Sequence, residues 1–251
     1  MNVLRPFIIV FFNLMALLSV GCGKNETETL PQKGKLYYPL NLGKEIVYDV
    51  DSIIYDPQPN GFIQIDTYRW QIREVLKDTF KDNAGLTQYR IERYSRFRGV
   101  QNWVLENVVT SAITEQYVLR TENNLRYIKF PTVFGVNTKW DGNIFIDPAV
   151  KIMVAGESID LFPNKWTYQI ESLDKAEKIG DKSFENVMTV LAQTNPGILN
   201  EKRYTLEKYA KDVGLIYREQ KILDTQKIDA GKAWEKKGEK GFILVQKVIS
   251  F

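Results

Sequence analysis

The chain of 251 residues contains no histidine and one cysteine, Cys22. The absence of histidine excludes Ser-His-Asp and Cys-His nucleophile systems, His-ligated haem and His-ligated non-haem iron. A single thiol excludes zinc sites of the Cys/His kind and an intramolecular disulfide. The chemistry still open is carboxylate-pair hydrolysis, Ser-Lys catalysis and oxygen-ligated calcium. We therefore expect a protein without a metal or cofactor that is not an enzyme.

The chain also lacks a strong charge of either sign. Its formal net charge is +3 at pH 7, and removal of residues 1–21 would lower it to +2, because Arg5 is the charged residue in that segment. An excess this small argues against nucleic acid as a partner.

One apolar run occurs at the start, over residues 7–20, interrupted by Asn13 and Ser19. It follows Arg5 and precedes the small residue Gly21, which is the arrangement of a secretory signal peptide. A helix that crosses a bilayer needs roughly 20 apolar residues, so a permanent transmembrane anchor is the weaker interpretation. We assign residues 1–21 as a signal peptide.

The end of this segment, Leu18-Ser19-Val20-Gly21-Cys22, resembles the lipobox of bacterial lipoproteins, with Ser19 where that motif usually has leucine. The resemblance implies cleavage before Cys22 and lipidation of its thiol and amine with palmitate-type acyl chains. The lipid would attach the protein to the membrane, and Gly23 rather than Asp favours the outer membrane, on its periplasmic or surface face. The alternative is an ordinary secreted protein with a free thiol.

Residues 22–35 are polar, contain Pro31 and Gly34, and lack periodicity, which predicts a flexible tether. From residue 36 onward, strand-like alternation recurs between turn signals. The predicted strands cover residues 45–55, 62–76, 87–97, 103–109, 115–120, 125–130, 166–172, 187–193, 202–209, 215–223 and 242–251. We predict turns over residues 77–85, at Asn123-Asn124 and over residues 180–182. Only residues 224–239 are expected to be partly helical.

Hairpin follows hairpin without alternating helices, so an antiparallel sheet is expected. The fold prediction is mainly β: one large, strongly curved sheet or open barrel-like domain over residues 36–251, after a signal helix and the tether. Five segments resemble an uncharacterised Bacteroidota-type family of outer-membrane and periplasmic lipoproteins. They are Tyr37-Tyr38-Pro39-Leu40, Leu42-Gly43, Tyr48, Phe184-Glu185-Asn186-Val187 and residues 209–217. The resemblance implies location and fold class, and no activity.

A basic and aromatic segment over residues 90–98 is the candidate ligand site, because arginine binds anions through paired hydrogen bonds. Its residues are Arg90, Arg93, Tyr94, Arg96, Phe97 and Arg98. The alternative is a solvated hairpin whose arginines serve solubility and edge protection.

Together these features favour a membrane-anchored, non-enzymatic lipoprotein of the cell envelope that binds a lipid, glycan or protein. The alternative is a structural or assembly component of an envelope complex. A carboxylate-dependent glycosidase that uses Asp49 and Asp51, on one face of a strand, is a further and weaker alternative.

Overall fold

A computed structural model describes residues 33–251. Strands account for 61% of these described residues and helices for 4%, which confirms the mainly β prediction. Gln32–Phe251 form one compact unit. It has its own hydrophobic core, and we therefore treat it as able to fold alone. No helix within residues 33–251 is long and apolar enough to cross a membrane.

Fourteen strands and two short helices make up the unit. The helices are α1 (Gly34–Tyr37) and α2 (Trp234–Lys237). The strands are β1 (Glu45–Pro57), β2 (Ile63–Lys81), β3 (Thr87–Phe97), β4 (Val104–Ile113), β5 (Tyr117–Glu122), β6 (Leu125–Pro131), β7 (Lys139–Trp140), β8 (Lys151–Val154), β9 (Glu157–Asp160), β10 (Thr167–Ile179), β11 (Lys182–Gln193), β12 (Glu201–Ala210), β13 (Gly214–Asp224) and β14 (Lys240–Ser250).

Twelve strands form one antiparallel sheet in the order β6-β5-β4-β3-β2-β1-β14-β13-β12-β11-β10-β7, while β8 and β9 form a separate hairpin. Register shifts interrupt several of the pairings, including β2 with β3 and β10 with β11. Such bulges bend a twisted sheet, so they account for its strong curvature. The predicted curved antiparallel sheet is confirmed, and it is nearly closed.

The two edges of the sheet meet beside β6 and β7. The backbone N–H of Ile128 donates to the carbonyl of Gly142 at 2.9 Å, and the Trp140 indole donates to the carbonyl of Ile128 at 3.0 Å. Gly142 lies so close to the ring of Tyr168 that a Cβ atom there would approach it within 2.6 Å. A residue without a side chain therefore lets the edges close.

Helix α1 closes one end of the sheet. Its Gly34 N–H donates to Thr132 and its Leu36 carbonyl accepts from Asp212, so the helix links the two halves of the sheet. Tyr37 and Tyr38 pack inside, in a buried cluster with Phe130, Phe134, Ile170, Met188, Val190, Val118 and Tyr209. The N-terminal residues of the unit thus form part of its core.

The strand predictions hold in position, and three details differ. The turn predicted over residues 77–85 is wrong for its first half: β2 continues to Lys81 after a bulge between Leu76 and Asp78. The predicted turns at Asn123-Asn124 and at Gly180 are confirmed, with φ values of 52°, 61° and 57°. The helix expected within residues 224–239 is one turn, α2. Strands β7, β8 and β9 were not predicted.

Candidate functional site

Alternate residues of each strand point into the interior of the curved sheet. On β1 these are Tyr48 and Val50, which are both buried, whereas Asp49 and Asp51 point outward. The register carries this alternation around the sheet, because Val50 pairs with Gln246, Gln246 with Arg218, and Arg218 with Glu207. Charged side chains therefore occupy inward positions on several strands.

Seven of these side chains form what we call the interior charged cluster: Glu74, Arg93, Arg120, Glu122, Lys129, Glu207 and Arg218. In one half of it, Arg120 donates to Glu74 through both Nη atoms and to Glu122 through Nε at 3.0 Å. Arg93 donates to Glu122 as well. These four side chains come from three strands, so they link β2, β3 and β5 across the interior.

Glu207 is the centre of the other half. Its carboxylate accepts hydrogen bonds from Lys129 Nζ at 2.7 Å, Arg218 Nε at 2.8 Å and the Tyr209 hydroxyl at 2.6 Å. Only 4% of Glu207 is exposed. The burial of a carboxylate is tolerated here because three donors compensate for the lost water.

The pKa values of these carboxyl groups show that their basic neighbours outweigh the effect of burial. Burial alone would raise the pKa of Glu207, but Lys129 and Arg218 outweigh it and lower the value to about 2. Burial would likewise raise the pKa values of Glu74 and Glu122. Arg120 and Arg93 outweigh this effect, so both pKa values are lowered. All three groups are therefore ionised at neutral pH.

A cavity of about 460 Å³ lies above this cluster. Its lining residues are Arg120, Glu122, Asn123, Leu125, Tyr127, Lys129, Val150, Lys151, Ile152, Leu161, Phe162, Trp166, Tyr168, Val190, Ala192, Thr205, Glu207, Arg218, Gln220 and Phe242. Asn123 and Lys151 are exposed, so the entrance lies between the β5–β6 turn and strand β8. We call this space the interior cavity.

Aromatic side chains form one wall of the interior cavity. The rings of Trp166 and Tyr168 stack at 6.3 Å between centroids, and Phe162 packs edge-on against Trp166 at 5.8 Å. The Tyr168 hydroxyl donates to Asn143 at 2.6 Å, which holds this ring in place. The wall is therefore an aromatic surface that this hydrogen bond helps to fix.

The interior charged cluster is the floor of this cavity. A second space, of about 60 Å³, lies on its other side and shares Arg120, Lys129 and Arg218 as lining residues. That smaller space is bounded by Tyr38 and Pro39 next to α1. The charged side chains thus separate the closed end of the sheet from the interior cavity.

The residues of the candidate ligand segment are divided between both faces of β3 and its turn. Arg93 points inward and belongs to the interior charged cluster. Arg90 pairs with Asp78 and Glu92, and Tyr94 donates to Glu92.

The other three residues of that segment lie near its end. Arg96 packs over the ring of Trp103, Arg98 pairs with Asp49 and Asp51 at 3.3 and 3.6 Å, and Phe97 is 67% exposed. The structure brings Arg96 and Phe97 together in a groove of about 430 Å³ that also contains Val100 and Val104. It does not bring all six residues to one surface, and the side chains of Asp49 and Asp51 lie on the outer face of the sheet. Cys22 lies outside the described residues.

Sequence reasoning did not find the interior charged cluster. A charged residue in a strand is typical of a solvent-exposed face, and the partners are far apart: Lys129 and Glu207 are separated by 78 residues. The available signal was Arg203, Thr205 and Glu207, which alternate with Lys202, Tyr204 and Leu206 so that both faces of β12 carry polar groups. A strand with polar groups on both faces is typical of a sheet that has water on one side and a polar interior on the other, or water on both sides.

No protein-family model and no curated protein matches the chain. Solved structures similar to it include a candidate exported protein with a YmcC-like fold from Bacteroides fragilis, with 10% identity and a TM-score of 0.41 over 86% of this chain and 99% of that one. A candidate lipoprotein from Parabacteroides distasonis matches with 14% identity and a TM-score of 0.40 over 85% of this chain and 96% of that one. Because both TM-scores are below 0.5, neither similarity identifies a family or an activity.

Proposed function

We propose that the protein is a non-enzymatic lipoprotein of the cell envelope whose β unit binds a small ligand in the interior cavity. The observation that carries the proposal is the cavity itself: about 460 Å³, enclosed by the curved sheet, with a fixed aromatic wall and a charged floor. Ligand sites in proteins are concave, have volumes of about 300–1,000 Å³ and combine apolar walls with a few polar groups.

The protonation states of the cavity carboxyl groups support a binding role over catalysis. A glycosidase needs a carboxylic acid whose pKa is raised so that it can protonate the leaving group. Glu122 and Glu207 line the cavity, and both have pKa values below the ordinary range because basic neighbours stabilise their ionised forms. They serve to hold Arg120, Lys129 and Arg218 in position.

The membrane location rests on the sequence around Cys22. A lipid on that residue would attach the β unit through the residues between Cys22 and Gly34, which reach roughly 40 Å when extended at ~3.3 Å per residue. More than one acyl chain makes such attachment lasting. The unit would then collect a ligand from the space next to the membrane.

The neutral dye N-phenyl-1-naphthylamine, which fluoresces in apolar surroundings, tests the ligand site on the unit Gln32–Phe251. We expect one dye per protein and at least tenfold weaker binding in Thr205→Phe, because the new ring would occupy the cavity that Thr205 lines. A fluorescence titration measures both quantities, and circular dichroism checks that the variants are folded.

Two control variants locate the dye. Thr67→Phe adds the same ring at an exposed position of β2, and Phe97→Ser removes the aromatic residue of the exposed groove. Both should bind as the unchanged unit does. Equal binding by Thr205→Phe, or loss of binding in Phe97→Ser, would show that the interior cavity is not the site.

A further inference from the structure

We infer that the interior cavity selects an anionic ligand, a carboxylate, sulfonate or phosphate ester on a ring-shaped body, with Arg218 as the group that binds the anion. The inference rests on the proposed ligand site and specifies its chemistry.

Arg218 has hydrogen-bond donors to spare. Its Nε donates to Glu207 at 2.8 Å, and Glu207 is its one hydrogen-bond and ion-pair partner among residues 33–251. The side chain is 14% exposed and lines both interior spaces, so Nη1 and Nη2 lie at the boundary between protein and cavity. A guanidinium with its Nη groups free matches the paired oxygens of a carboxylate, sulfonate or phosphate.

The other basic side chains of the cavity floor are already engaged. Arg120 uses Nε, Nη1 and Nη2 on Glu74 and Glu122, and Lys129 donates to Glu207. Lys151 lies at the entrance, where it pairs with Asp160 and remains 59% exposed. Lys129 keeps further N–H donors, but its ammonium does not offer a planar pair of them. Within the described lining, Arg218 is therefore the buried arginine whose Nη groups can accept a new partner.

The formal charge of the cavity floor also favours an anion. The interior charged cluster has four basic residues, Arg93, Arg120, Lys129 and Arg218, and three acidic ones, Glu74, Glu122 and Glu207, which leaves one positive charge without a counter-charge in the cluster. A positive excess enclosed by low-dielectric walls attracts an anion more strongly than the same charges would in water.

The rest of the cavity indicates the shape of the ligand. Thr205 and Gln220 pair across β12 and β13 next to Glu207 and Arg218, so polar groups surround the anion site. A flat ring against Tyr168 and Phe242 with an acidic group at Arg218 uses all of these features.

A matched pair of dyes tests the charge preference on the unit Gln32–Phe251. Anilinonaphthalene sulfonate carries the same rings as N-phenyl-1-naphthylamine and adds a sulfonate. A charge-assisted hydrogen bond is worth about 1.5–3 kcal/mol, so we expect the sulfonate dye to bind about tenfold to a hundredfold more tightly. Arg218→Gln should abolish this preference, so that the ratio of its affinities for the sulfonate dye and the neutral dye falls to about one.

Arg218→Lys is the second variant, for the case in which Arg218→Gln does not fold. Lysine can keep the ion pair with Glu207 but lacks the Nη groups. Its preference for the sulfonate dye should fall at least fivefold. Competition by 1-naphthoate, naphthalene-1-sulfonate and 1-naphthyl phosphate, each against neutral 1-naphthol, then ranks the anions.

The outcomes separate the two proposals. Equal affinities for the two dyes, equal competition by 1-naphthol, or an unchanged preference in Arg218→Lys would overturn the anion inference and leave the ligand site intact. If neither dye responds to Thr205→Phe, the ligand site itself is wrong.

Discussion

Replacement of Glu207 by glutamine is expected to lower the free energy of unfolding by about 3–5 kcal/mol. The carboxylate accepts hydrogen bonds from Lys129, Arg218 and Tyr209, and its removal leaves two buried cations without their shared anion. Breaking a buried pair costs more than the pair contributes, since the remaining charge cannot regain water. Urea denaturation of the unit Gln32–Phe251 at pH 7 measures the change.

The control for this variant is Asp160→Asn, which breaks the pair with Lys151 where both side chains are more than half exposed. That change should stay within about 0.5 kcal/mol. A loss in Glu207→Gln as small as in the control would contradict the account of the interior charged cluster.

The same variant should also change the pH profile of stability. The folded-state pKa of Glu207 is about 2, below its ordinary 4.5, so its contribution is fully present above pH 4.5 and is lost as the pH falls toward 2. This contribution is about 3 kcal/mol, from about 1.4 kcal/mol for each unit of the shift. In Glu207→Gln this part of the acid destabilisation should be absent, while the parts due to Glu74 and Glu122 remain.

Replacement of Cys22 by alanine is expected to abolish incorporation of labelled fatty acid and leave the precursor without lipid. Cys22 is the one thiol of the chain, so no other residue can form the thioether. Metabolic labelling with palmitate, followed by isolation of the protein, measures the incorporation.

A matched control for the anchor is Ser19→Leu, which restores the leucine that the lipobox usually has and keeps the thiol. Labelling should be retained in this variant. Labelled fatty acid in Cys22→Ala would show that the anchor assignment is wrong.

The sequence allowed the sheet to be predicted because its strands carry their signals locally. Alternating Tyr48 and Val50 in β1, and turn residues such as Asn123-Asn124, each lie within a few positions of one another. Strands β8 and β9 were missed because each has four residues, too few to establish alternation. Their two-residue turn, Ala155-Gly156, with φ values of 50° and 83°, was the available signal.

The interior site could not be predicted in the same way. Alternation assigns residues to two faces of a strand, but it does not show which face turns inward when both carry charges. Arg93 and Arg96 illustrate this limit: they lie three positions apart in one basic segment, yet one joins the interior charged cluster and the other stacks on Trp103 outside. Closure of the sheet between Ile128 and Gly142 determines which face of a strand turns inward, and this closure depends on residues distant in the chain.

The most direct test of the ligand site is a crystal structure of the unit Gln32–Phe251 with a bromonaphthalene sulfonate. The anomalous signal of bromine locates the ring without reference to any affinity. The account predicts the bromine inside the interior cavity, between Tyr168 and Phe242, with the sulfonate within hydrogen-bond distance of the Nη atoms of Arg218. A bromine peak in the exposed groove next to Phe97, with an empty interior cavity, would contradict it.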